Sequence, residues 1–304
     1  MKFPLLILTL IFSLIQNVLS QEKVVVSAEE IFTEIKLKSQ QSTNPNKILY
    51  ESFLDKIKSD VYSEQTKNEL AISLFSHYIE CGSFLAFKTA FEKHAALIEN
   101  KPILKTYWKT ISLEFSEQYK AMFKNAEILL RKSEKAGDNQ NISDAYRLLA
   151  RSKMYLNEKD SSLFYANLSL NFAKRSNSKK AVANTFQDLS DIQAYFDMIG
   201  KSTSTLLKLN QEAERIKDYY LLCWSTLMIA ERSFQVNSFN EAKTYYRKAL
   251  NIAEKNNLNT FKVRIFGGLA EIELSTNKLD AALVNINQGY NSFYEGNKSI
   301  FYLD

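Results

Sequence analysis

The chain has 304 residues, 45% apolar and 24% charged, and its 39 basic and 34 acidic residues leave a net charge of +5. The charges are scattered, with Arg131-Lys132 and Lys179-Lys180 the densest basic pairs; no basic stripe interleaved with aromatics marks a nucleic-acid surface. Seven glycines and three prolines are few chain breakers for this length, and no alternating run bounded by turns reads as a strand, so the chain is expected to be all-α.

Residues 1–20 read as a secretory signal peptide. Lys2 supplies the positive start, Phe3 to Leu14 is nearly continuous apolar chain, and Val18-Leu19-Ser20 is an acceptable cleavage site. The alternative is an uncleaved N-terminal membrane anchor, against which stand Pro4, Gln16 and Asn17 and an apolar core shorter than the ~20 residues of a spanning helix. Residue 21 is Gln, not Cys, which argues against a lipoprotein. Cleavage removes Lys2 and leaves +4. The mature protein is expected to be soluble and exported, to a bacterial periplasm or beyond.

Residues 21–62 form an N-terminal helical segment. Ser27-Ala28-Glu29-Glu30 is a capping box opening a helix to about Lys38, since the serine hydroxyl can accept from the Glu30 amide while that glutamate reaches back. Ser39 to Asn46 is polar and breaker-rich and reads as a loop; Asn46 to Lys58 is helical, with Ile48, Leu49, Phe53, Leu54 and Ile57 in register. Residues 63–100 are a divergent hairpin, helices at Ser63–Glu80 and Ser83–Glu99 about the Cys81-Gly82 turn. Lys101-Pro102 starts the next helix, where proline suits the first turn.

From here a 40-residue period organises the chain. One column reads Thr110, Ala150, Ser190, Ala230, Ala270; a second, twelve residues on, reads Met122, Ser162, Ser202, Ala242, Ala282. All but Met122 are small, as close crossing of two antiparallel helices requires. Such a period marks a helical solenoid. Five units fill residues 101–298, with first helices near 102–116, 141–157, 178–197, 218–236 and 259–276. Second helices fall near 118–136, 160–176, 200–217, 238–256 and 278–295, and Gly137, Gly200 and Gly296 are placed at joints. Residues 299–304 read as the start of an incomplete repeat or a tail. Phe293, Tyr294 and Ile300 to Leu303 form an apolar end without a polar cap, which implies either a truncated chain or a partner or second copy covering that face.

Cys223 to Asn256 resembles a tetratricopeptide (TPR) repeat: Ile229-Ala230 stands at the Leu-Gly/Ala pair, Phe239-Asn-Glu-Ala242 at the turn, and Tyr246 and Ala249 at the second helix's landmarks. Val263 to Gly296 is similar through Leu269-Ala270, Leu279-Asp-Ala-Ala282, Ile286 and Gly289. The earlier units match more weakly, with Lys159 at the apolar turn position and Ser202 at the second-helix alanine. The spacing exceeds the family's usual ~34, so longer helices are expected, although HEAT-type arrays also repeat near ~40. The resemblance implies a right-handed α-α solenoid of antiparallel helix hairpins whose first helices line a concave groove.

Two groove rows follow from that register: Tyr107, Arg147, Gln187, Leu227, Gly267, and Ile111, Arg151, Asp191, Glu231, Glu271. Arg147 and Arg151, four apart on one helix face, suit a peptide carboxylate as two forks. The alternative is an inter-repeat ladder, Arg151 to Asp191 with Glu231 nearby, that neutralises the groove. Family members that clamp a C-terminal carboxylate use a Lys/Asn set not reproduced here.

Catalytic chemistry finds little support. The two histidines, His77 and His94, lack a third metal ligand, and Gly267-Gly268 lacks the pattern of a phosphate loop and is read as permitting close packing inside a first helix. Cys81 and Cys223 lie too many repeats apart for a disulfide, so both are read as free thiols, with Cys223 buried. No cofactor, metal or enzymatic activity is expected. The leading function is an exported protein–protein interaction scaffold that binds a peptide or helix. The alternative, on resemblance alone, is the N-terminal sensor portion of a bacterial regulator joining a TPR array, a membrane helix and a helix-turn-helix domain. Neither reading assigns nucleic-acid binding or a membrane span to the mature chain; self-association through the C-terminal end is the further partner expectation.

Overall fold

The computed structural model describes residues 27–40, 45–80 and 83–297, with side chains described up to residue 292. Expectations on the signal peptide, Cys81 and the 299–304 tail lie outside the described residues. Those residues form fourteen α-helices and one 3₁₀ turn, without a strand. Two compact units divide the chain, one ending at Asn100 and one starting at Lys101.

The first unit contains α1 (Ala28–Gln40), α2 (Pro45–Lys58), α3 (Glu64–Glu80) and α4 (Phe84–His94), followed by the 3₁₀ turn Ala95–Ile98. The capping box opens α1: the Glu30 amide donates to Ser27 Oγ at 3.2 Å and the Ser27 amide to Glu30 Oε2 at 2.9 Å. Ile31, Ile35, Leu49, Phe53, Leu74, Phe75 and Phe87, each at most 2% exposed, form the core. The two histidines have separate aromatic surroundings. His77 meets Phe32 edge-on, ring centroids 5.8 Å apart, whereas His94 Nε2 lies 2.9 Å from the Tyr50 hydroxyl. Burial pulls His77 down to about 4 and His94 below its ordinary value, so both rings are neutral at pH 7.

The second unit is a run of hairpins: α5 (Pro102–Phe115) with α6 (Tyr119–Ala136), α7 (Asn139–Tyr155) with α8 (Lys159–Arg175), α9 (Lys179–Tyr195) with α10 (Ile199–Arg215), α11 (Tyr219–Gln235) with α12 (Phe239–Lys255), and α13 (Asn259–Ser275) with α14 (Leu279–Asn297). Helices α7 to α13 are each 17 residues long. A residue of positive φ follows each helix of this unit before α14, at 117, 137, 157, 177, 197, 217, 237, 257 and 277. The true period is thus twenty residues, one helix and one turn. Five of these positions are asparagine and one is Gly137; both tolerate the left-handed region. After Asn157 the Glu158 amide donates to the Lys153 carbonyl at 2.9 Å, closing a Schellman turn, and the pattern recurs down the array. Gly200 and Gly296, expected at joints, instead lie within α10 and α14.

All ten residues of the two small columns are at most 4% exposed. The hydroxyls of Ser162 and Ser202 cross their hairpins to the Ala150 and Ser190 carbonyls, each at 2.8 Å. Successive first helices also pack on each other, α5 on α7, α7 on α9 and α11 on α13, whereas no successive second helices pack as closely. The first-helix side is therefore the inner, concave side of this unit. The exception is α9 and α11, which lack that close packing, so the inner layer opens between them.

Candidate functional site

Arg147 and Arg151 project from α7 into a charge network spanning three first helices. Arg147 Nε donates to Asp188 Oδ2 at 2.6 Å and its Nη1 to Asp144 Oδ1 at 2.9 Å. Arg151 Nε donates to Glu114 Oε1 at 2.9 Å, and its Nη1 to Asp188 Oδ1 at 3.1 Å; its Nη2 also engages Glu114. The Tyr155 hydroxyl donates to the same Glu114 oxygen at 3.0 Å. Glu114 and Asp188 are 7% and 4% exposed. Burial works against the charge of Arg147, yet Asp188 and Asp144 hold its pKa above the ordinary value. Burial raises Asp144 in turn, with Arg147 opposing. Both guanidiniums are therefore committed within the protein.

The inter-repeat ladder forms with partners other than those expected. Arg151 pairs with Glu114 and Asp188, not with Asp191, and Glu231 pairs with Arg264 at 2.6 Å. Asp188 lies one helical turn ahead of Asp191 on α9, in the register of Trp108, Leu148 and Met228, each at most 5% exposed. That register places its carboxylate beside α7.

Where α9 and α11 part, a recess of about 450 Å³ opens. Arg151, Met154 and Tyr155 of α7, Asp188, Asp191, Ile192 and Tyr195 of α9, and Arg232 of α11 line it. Tyr155 is stacked on Tyr119 with centroids 4.4 Å apart. Two groups in the recess are uncommitted. Asp191 makes no hydrogen bond or ion pair with any described residue, and burial, reinforced by Asp188, pushes it up to about 7 against the pull of Arg151, Arg232 and Arg264. Arg232 donates from Nη1 to Gln235 Oε1 at 3.2 Å, but its Nε is fully buried without an acceptor. A buried N–H left unpaired costs about 1–3 kcal/mol, which a ligand acceptor would recover.

The remaining expected groove residues are dispersed. Tyr107 is half-buried on α5, its hydroxyl pushed up to about 12 by burial and then by Asp144. Gln187 is half-buried on α9 and does not line the recess. Leu227 is a correction: it is 0% exposed and packs in the core with Ile265 and Phe266 of α13, so it presents no groove side chain. Ile111 is 7% exposed, while Gly267 and Glu271 are exposed.

Tyr155, Tyr195, Glu114, Asp188 and Arg232 were not singled out from sequence. Tyr155 and Tyr195 keep the aromatic column of Phe115, whereas for Glu114, Asp188 and Arg232 the signal is a breach of column chemistry. Arg232 shares a forty-residue column with Ser112, Ser152, Ile192 and Ile272, all at most 8% exposed. An arginine in a column of buried small and apolar residues must find space, and here it lines the recess where α9 and α11 part. Glu114 likewise stands in register with Met154, Ala194, Phe234 and Leu274.

Among the described residues no group of His, Cys, Asp and Glu is arranged to hold a metal ion, and no helix is long and apolar enough to cross a membrane. Cys223 is a free, buried thiol that burial pushes up to about 12.

No family model matches the chain, and no curated protein matches it. Solved structures do. A Rap protein complexed with competence and sporulation factor is 16% identical with a TM-score of 0.59, over 90% of this chain and 77% of that one. A kinesin light chain protein of nearly identical TPR-like repeats from Podosopora anserina is 9% identical, TM-score 0.53, over 64% and 96%. The apo quorum sensor NprR from B. thuringiensis is 14% identical, TM-score 0.52, over 88% and 75%. The likeness is one of fold, and the fold is a TPR-like helical solenoid.

Proposed function

We propose that the protein is an interaction scaffold that binds an extended peptide or a helix along its first-helix layer. The observation that carries this is the opening between α9 and α11, where an otherwise close-packed inner layer exposes a recess holding uncommitted polar groups. The Glu114–Arg151–Asp188–Arg147 network makes the surrounding layer rigid, and a preorganised surface loses less entropy on binding. The Rap neighbour, complexed with its factor, supports the use of such a fold for ligand capture. The groups of the recess have no nucleophile–base pair, and the scaffold role carries no catalysis. The basic start and apolar run of the first twenty residues support export, to a periplasm or the exterior.

The test is capture of immobilised random-sequence dodecapeptides by the full chain, with each hit remeasured by titration calorimetry. A scaffold binds a subset sharing a pattern; failure to retain any peptide overturns the reading. The second reading is the sensor portion of a larger regulator, favoured by the likeness to the quorum sensor NprR. Its test is the coding sequence downstream of codon 304: a membrane helix followed by a helix-turn-helix domain supports it, and a stop codon there removes it.

A further inference from the structure

Building on the scaffold reading, we propose that the recess between α9 and α11 is a subsite for one basic side chain of a bound peptide, its cationic head on Asp191 and a neighbouring peptide carbonyl on Arg232 Nε. The charge inventory carries the choice of a cation. The recess is lined by Asp188, Asp191, Arg151 and Arg232, and with the adjoining Glu114, Asp144 and Arg147 the cluster holds four carboxylates and three guanidiniums. Arg147 and Arg151 are taken up by Glu114, Asp144 and Asp188. The carboxylate in excess is Asp191, the one without a partner. An anionic ligand would bring its charge beside both Asp188 and Asp191 and is disfavoured by like-charge repulsion.

The walls suit the stem of such a side chain. Met154, 6% exposed, offers aliphatic surface, and Tyr155 and the exposed Tyr195 line the recess with aromatic rings whose quadrupole attracts a guanidinium or ammonium. Arg232 adds a second, independent requirement: its buried Nε–H needs an acceptor, and no described residue supplies one. A main-chain carbonyl is the acceptor that every peptide carries.

The groups facing Asp191 are Asp188 on its own helix, Arg151 on α7, Arg232 on α11 and Arg264 on α13. Because burial and Asp188 place its ionisation near neutrality, capture of a basic side chain should strengthen as pH rises from about 6 to about 8 and the carboxylate becomes charged.

The experiment is the peptide array probed in parallel with the wild-type chain and the near-isosteric Asp191→Asn variant, at pH 6 and pH 8. The expected result is enrichment of one Lys or Arg position among bound peptides, and at least a tenfold loss of affinity at pH 8 in Asp191→Asn. Replacement of that Lys or Arg by norleucine should cost the wild type the same and the variant nothing. Peptides bound without basic enrichment, or bound equally by Asp191→Asn, overturn the subsite and leave the scaffold standing. Enrichment of Asp or Glu instead overturns it in favour of an anion on Arg232. Retention of no peptide by the wild type removes both. The helical circular dichroism of Asp191→Asn at pH 6 and pH 8, matched to wild type, and a melting temperature matched to wild type at pH 4, where Asp191 is protonated in both the folded and unfolded chain, establish that any lost binding is local.

Discussion

Ser162 Oγ donates to the carbonyl of Ala150 across the α7–α8 hairpin at 2.8 Å, and Ser202 repeats the bond to Ser190 one unit later. A side chain as short as serine reaching the facing backbone means that the helices cross almost in backbone contact. In the α11–α12 hairpin the same places hold Ala230 and Ala242, both 0% exposed. Ala242→Leu should therefore overpack this crossing and cost about 1–3 kcal/mol. Urea unfolding checks it: an unchanged midpoint would show room that the crossing does not have.

Two adjacent glycines make a controlled pair. A Cβ on Gly268 would sit 2.1 Å from the ring of Tyr246, which is 2% exposed and held under α13, whereas a Cβ on Gly267 meets nothing within 4 Å. Gly268→Ala should destabilise by at least 2 kcal/mol, about what overpacking of a filled core costs. Gly267→Ala should stabilise by up to about 1 kcal/mol through helix propensity. Equal melting shifts for the two would contradict the packing of Tyr246 against α13.

The helices were legible because small and apolar residues recur at forty residues; the expected and observed helix bounds of the array differ by only a few residues. The twenty-residue half-period was not, because its marker is conformational. Five of the nine positions are asparagine, but Glu117, Asp197 and Lys217 interrupt that series, and glycine, the residue that most plainly advertises such positions, stands at Gly137 alone of the nine. The groove arginines were legible as an i,i+4 pair. Their partners were hidden because Asp188 stands in a column of core residues and Glu114 in an otherwise apolar one, so they read as departures from the repeat rather than as a site. Leu227 failed for the converse reason: extending a row by register assumes that every repeat turns the same face outward, and α11 buries that face against α13.

The charge network yields an asymmetric prediction. Arg151→Gln leaves Glu114 and Asp188, both buried, without one of their cations, and should cost about 2–4 kcal/mol, well above a surface ion pair. Replacing Glu114, Arg151 and Asp188 together with Met, Leu and Leu should recover much of that loss, because no isolated buried charge remains. Thermal melts at pH 7 check both; a triple variant less stable than Arg151→Gln would assign the network a net stabilising role.

The outer face of α14 exposes Leu279, Leu283, Val284, Ile286 and Tyr290, each at least 50% exposed. Ile286 stands forty residues after Tyr246, which is 2% exposed beneath α13; no described helix follows α14 to cover the equivalent position. A contiguous apolar face of this kind drives association. The chain should self-associate at tens of micromolar in sedimentation, and Leu283→Glu with Ile286→Lys should return it to monomer. A wild-type monomer at that concentration would show the face to be covered.

Asp191 supplies a pH signature independent of any ligand. Its folded-state pKa is raised to about 7 from 3.8, chiefly by burial. The protonated form is thus favoured in the fold, and its contribution to stability is complete below about pH 4. As pH rises from about 4 to about 7 the unfolded chain ionises while the folded site resists, and that contribution is lost. Asn does not titrate, so Asp191→Asn should equal wild type near pH 4 and exceed it increasingly up to pH 8. At roughly 1.4 kcal/mol per pKa unit the gap is on the order of 2–4 kcal/mol. Urea midpoints of the two proteins at pH 4, 6 and 8 check this; a gap that stays constant across the series would mean that Asp191 is solvated and charged throughout.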